Sequence, residues 1–182
     1  MYQINQKQKQ TCNEPDWLIP NFENIPDELK SQPWAVWSAE PRLDREGKPT
    51  GKWNKAPRNP VTSIKVGTNQ PETFGTYDEA KRAYATGRYT GIGVLLTGSG
   101  ITGIDIDNVG QLIAEGRPII DWLAKAIIDG VYCEVSPSRT GLRVFIRGNL
   151  SLGGRKHDFL EIYDDKRFLT ITGHIYDAKA GA

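Results

Sequence analysis

Cysteine is nearly missing from this 182-residue chain, with Cys12 and Cys133 its two instances, and histidine is as scarce, with His157 and His174. Two cysteines cannot build a disulfide framework or a cysteine-rich zinc site, and they fit a reducing compartment. No apolar run approaches the ~18 residues of a membrane span, and the first residues are polar rather than signal-like. The expectation is a soluble, cytoplasmic protein with no membrane partner. Excess charge is missing too. Lys and Arg number 23 against 22 Asp and Glu, so net charge makes no statement about partners.

What is present is unevenly placed. Residues 42–65 hold seven Lys or Arg against Asp44 and Glu46, with Trp53 in their midst. A basic stretch with an aromatic suits single strands, which makes Lys52, Trp53, Lys55 and Arg58 candidate contacts to a nucleic-acid template or primer. Residues 1–15, rich in Gln, Lys and Asn, are expected to be disordered or a linker. Residues 16–178 are expected to form one domain, large enough to hide roughly 70% of its unfolded surface.

Periodicity and punctuation predict the elements. "PWAVWSAEP" reads as a strand and "RLDREGKPTGKWNKAPRNP" as a basic hairpin or loop. Thr76 and Glu79 form a capping box for a helix over 77–86, stopped by Gly87. "TGIGVLLTGSG" and the strand at 101–107 suggest a hairpin, and Pro118 opens a second helix whose apolar stripe is Ile119, Ile120, Leu123 and Ile127. The strands "VYCEVSPS", "GLRVFIRG", "FLEIYD" and "RFLTITGH" follow. The expected class is α+β, a mostly antiparallel sheet with helices packed on one face.

Alternation then sorts the side chains. In "ITGIDIDNVG", Ile104 and Ile106 face one way and Asp105 and Asp107 the other. Leu142, Val144 and Ile146 oppose Arg143, Phe145 and Arg147; Leu160 and Ile162 oppose Glu161; Leu169 and Ile171 oppose Thr170, Thr172 and His174. This is either the solvated side of a sheet or a face that gathers acids, bases and hydroxyls for chemistry. Three carboxylates from two strands suit a pair of Mg²⁺ or Mn²⁺ ions, since hard cations take oxygen ligands and would relieve the repulsion between the two Asp. The turn of Ser138, Arg139, Thr140 and Gly141 is suited to wrapping a phosphate, and Arg143 could fork onto phosphate oxygens. "GGRKHD" reads as a second basic turn, offering Arg155, Lys156 and His157 to a triphosphate or a template backbone. His174 would donate to a phosphate or sugar, or cap a strand end.

In this order the motifs resemble the catalytic domain of the archaeo-eukaryotic primase superfamily, most of all the primase–polymerase domains of phages, plasmids and other mobile elements. The resembling words are "IDID", "GLR" and the "LE" of "LEIYD", with "WAVW", "KWNKAPRNP", "GIGVLLT", "SPSRTGLR" and "RFLTITGH" around them, from Trp34 to His174. The resemblance implies a sheet related to the RNA-recognition-motif fold, with Asp105, Asp107 and Glu161 as the catalytic, metal-binding triad. It implies a template-dependent nucleotidyltransferase acting on single-stranded DNA template and primer with NTP or dNTP. Arg143 stands where the family most often has His, so retained phosphate binding is expected. Relatives commonly continue into a helicase, so the chain is expected to be a stand-alone core or the N-terminal part of a longer replication protein, with a helicase domain or subunit as partner. The other readings are a catalytically silent nucleotide- or single-strand-binding module and a two-metal nuclease.

Overall fold

The computed structural model describes residues 14–151 and 153–177, so nearly all of the expected disordered or linker stretch 1–15 lies outside the described residues. Strands follow the apolar runs: β1 (Trp34–Trp37), β2 (Glu40–Leu43), β3 (Pro49–Asn54), β4 (Pro57–Arg58), β5 (Gly91–Leu95), β6 (Ile101–Ile106), β7 (Tyr132–Val135), β8 (Leu142–Arg147), β9 (Arg155–His157), β10 (Leu160–Tyr163) and β11 (Phe168–Ile171). Helices are α1 (Asp27–Lys30), α2 (Tyr77–Tyr84), α3 (Val109–Ala114) and α4 (Pro118–Ile128). The capping box of Thr76 and Glu79 starts α2, and Gly87 follows it at φ +73°. None of the described helices is long and apolar enough to cross a membrane.

The strands make two sheets rather than one. A four-stranded sheet has the order β11-β5-β1-β4, a five-stranded sheet the order β7-β8-β6-β10-β9, and β2 and β3 form a separate ribbon; the described pairings between strands are antiparallel. The expected hairpin of β5 with β6 does not form. β5 already carries β1 on one edge and β11 on the other, so no hydrogen-bonding edge remains and the chain crosses to the second sheet. "GGRKHD" is not simply a turn either, because Arg155–His157 pairs with β10 as an edge strand.

The helices divide between the sheets. Ile104, Ile106, Leu142, Val144 and Cys133 of the five-stranded sheet bury against Val109 and Leu112 of α3 and Leu123 of α4. Ala80 and Ala83 of α2 join Trp34, Val36, Ile92 and Val94 of the four-stranded sheet, and Phe145, Ile101 and Leu169 extend that core to where the sheets meet. Gly103 is the close-approach point. A Cβ there would run into methyl groups of Leu169 and Leu96. Helices therefore cover one face of the five-stranded sheet, and its other face looks toward the second sheet.

Candidate active site

On that second face, register builds a single row of charge. Across the five-stranded sheet Glu134, Arg143, Asp105, Glu161 and Lys156 are successive cross-strand neighbours. Cross-strand neighbours on one face stand about 4.5–5.5 Å apart, so five charged groups follow one another through a sheet whose other side is apolar. Asp107 follows β6 at the mouth of the row, where the sheet stops and water begins.

The buried members of the row are tied down. The Arg143 Nη1 donates to the Thr170 carbonyl oxygen of β11 at 2.6 Å and also to the Thr170 hydroxyl, while Nε stands 3.5 Å from Asp105 Oδ1 without a hydrogen bond. Arg143 thus joins the two sheets. Behind it, Glu134 accepts from the Thr172 and Gly173 N–H groups and from the Tyr132 hydroxyl. Burial pushes the Glu134 carboxyl up, and those hydrogen bonds and the Arg143 charge pull it back. Glu161 is paired on one oxygen with Lys156 and on the other with Arg167. Partial desolvation raises the Asp107 carboxyl, with repulsion from Asp105 and Glu161 adding to it.

Three carboxylates of this kind are oxygen donors of the type Mg²⁺ or Mn²⁺ takes, so the chemistry of the donor set fits such ions. The arrangement is not a ready cage: among the described residues, no three His, Cys, Asp or Glu side chains group closely enough to hold a metal.

From the other side of the cleft, the segment after β3 brings Lys55. Its ammonium lies 5.2 Å from the Trp17 ring and 5.9 Å from the Trp37 ring. Burial lowers its pKa to about 8, Arg143 helping, against the pull of Asp105 and Asp107. The cleft, about 500 Å³, is lined by Trp53 and Lys55 of the ribbon and the segment after it, by Arg167 and Thr170 at β11 of the four-stranded sheet, and by Asp105 and Arg143 of the five-stranded sheet.

The remaining expected site residues divide. Lys52 is exposed on the ribbon, Arg58 pairs with Glu40 and the Ser63 carbonyl, and of the four expected contacts Trp53 and Lys55 line the cleft. Alternation puts Lys156 on the Glu161 face and Arg155 and His157 on the other. Ser138 and Thr140 hydroxyls stand 3.0 Å apart in the turn beside the end of β6, where Gly141 comes so close to the Ile106 carbonyl that a Cβ would not fit. Arg139 holds the Asp16 carboxylate and carbonyl, and a His174 ring nitrogen lies 2.7 Å from the Ile19 carbonyl. With Leu18 N–H on Pro137 and Asn21 N–H on Thr172, these contacts lay residues 16–21 as a strap over the Ser138–Gly141 turn. The strap's Trp17 meets Trp37 and Trp53 edge-on. Glu134, Arg167 and Trp17 were not among the expected site residues, and alternation places Thr170 only on the polar face. For Glu134 the available signal is an acid sharing a face with Tyr132 in "VYCEV".

No protein-family model matches the chain. Among curated proteins it is similar to a DNA primase-polymerase of Nitratiruptor phage NrS-1, at 30% identity over 155 residues, 80% of this chain. The chain spans about one fifth of that relative's length.

Proposed function

We propose that this chain is the nucleotidyltransferase core of a DNA primase-polymerase, making or extending primers on single-stranded DNA from NTP or dNTP. The observation that carries the reading is the row centred on Asp105. Asp105 in the largely apolar β6 and Asp107 just past its end open onto a cleft lined by Lys55, Arg143 and Arg167, in a chain similar to a phage primase-polymerase. Asp105 and Asp107, with Glu161 beside them, would hold Mg²⁺ or Mn²⁺, which supplies positive charge against the triphosphate during transfer. The protein's own part is to position. Arg143 fixes Asp105 in the row, Lys156 and Arg167 orient Glu161, and the turn carrying Ser138 and Thr140 offers hydroxyls and amides near Asp107.

A binding module without catalysis is the second reading, favoured by Glu161 having both oxygens occupied by cations of the chain itself. Incubation with a labelled primed template, dNTP and Mg²⁺ or Mn²⁺ separates the outcomes. Extension supports the polymerase, shortening means a nuclease, and retention without a length change means the binding module.

A further inference from the structure

Of the residues lining the cleft, Lys55 was expected to follow template or primer. Its surroundings point elsewhere. It is a half-buried cation beside two indole rings, and among the described residues no carboxylate lies within salt-bridge distance of it. Such a charge has lost much of its water, and Asp105 and Asp107 attract it only from beyond contact. Two buried N–H donors have no hydrogen-bond partner among the described residues, Trp53 Nε1 and Arg143 Nε, the latter standing 3.5 Å from Asp105 Oδ1, and both side chains line the same cleft. Buried donors are nearly always satisfied, so a pair of exceptions on one cleft calls for a reason. Free donors and a cation without a contacting carboxylate are what a compact polyanion would meet there.

We propose that Lys55, with the indole N–H of Trp53, binds the phosphate chain of the incoming nucleoside triphosphate, and that neither belongs to the template path. The inference rests on the polymerase reading for the identity of the nucleotide, and on the cleft alone for the phosphate chain. A single-stranded backbone needs an open groove with charges strung along it. This cleft lies between two sheets at the acid pair, and the aromatic contacts that hold Lys55 include Trp17 of the strap. A short polyphosphate placed there meets Lys55, Arg143 and Arg167 together.

The test is calorimetric titration of the full chain with inorganic tripolyphosphate and with dNTP, alongside anisotropy with a labelled oligodeoxynucleotide. Lys55→Met keeps the stem against the indoles and removes the charge; Trp53→Phe keeps a ring and removes the donor. Lys55→Met should weaken tripolyphosphate and dNTP binding about tenfold or more, as expected for a charge-assisted contact, and Trp53→Phe by about threefold. Oligonucleotide affinity should stay within about twofold, and Lys55→Arg should restore most phosphate binding. Unchanged tripolyphosphate binding in Lys55→Met overturns the proposal, as does an equal loss for oligonucleotide or a wild-type chain that binds no tripolyphosphate. The two readings fail separately. Tripolyphosphate binding without nucleotide incorporation removes the polymerase and leaves the phosphate site; incorporation with an unaltered nucleotide KM in Lys55→Met does the reverse.

Discussion

Arg143 is the residue whose surroundings most change its meaning. Sequence placed it beside a phosphate-type turn, and that much is compatible with an outward-facing clamp. In the fold it is 5% exposed, bridges to Thr170 and lies between Glu134 and Asp105 in the charged row. Removing it strands two carboxylates in a poorly solvated place, so Arg143→Ala should lose about 3 kcal/mol of stability, read by urea unfolding. A variant as stable as the wild type would mean that Arg143 serves a ligand rather than the fold. Asp107→Asn should act in the opposite sense, relieving repulsion so that thermal unfolding does not come earlier, whereas Asp105→Asn gives up the attraction to Arg143. Primer extension should fall in both by about a hundredfold or more if these oxygens face the reacting phosphate. Extension at the wild-type rate would remove both from the chemistry. The acid pair was legible in sequence because period-two alternation makes a charge in an apolar strand conspicuous. The burial of Arg143 was not, because Thr170 is 27 residues further along and only the pairing of two sheets brings it near.

Elements whose signals are local were the legible ones. The capping box and Gly87 bound α2 much as their spacing says, and Pro118 opens α4. What sequence could not supply was which strand edge is free. β5 and β6 read as a hairpin because a Gly-rich turn joins them, but edge occupancy is decided by β1 and β11, which lie far off in the chain. β9 read as a turn because an edge strand guarded by Arg155, Lys156 and His157 is as polar as one. The contact between the sheets depends on Gly103. Gly103→Ala would push a methyl into Leu169 and Leu96, and overpacking of this sort costs about 1–3 kcal/mol. Urea unfolding should show that loss with the m-value kept; a neutral substitution would mean that the sheets meet more loosely than described.

At the scale of the whole molecule, the strap of residues 16–21 ties the two halves together. It touches the turn after β7 and the segment after β11, and its Trp17 reaches the four-stranded sheet. Gly173 makes this possible. It sits at φ +67°, where side chains are disfavoured, and a Cβ there would collide with the Asn21 carbonyl oxygen. Gly173→Ala should release the strap without melting either sheet. Limited proteolysis should then cut between residues 14 and 25 several times faster than in the wild type, with Trp fluorescence shifted as Trp17 leaves Trp37 and Trp53. Equal cleavage rates would mean that the strap is held by other contacts. The order of synthesis adds a further consequence. Residues 16–21 leave the ribosome before any of the turns they dock on, the last of which ends at His174. A nascent chain must therefore carry the strap backbone unpaired until Pro137, Thr172 and His174 have been translated, although the indole rings that Trp17 meets emerge much earlier. A ribosome stalled short of His174 displays a strap anchored by its indole and not yet by its backbone.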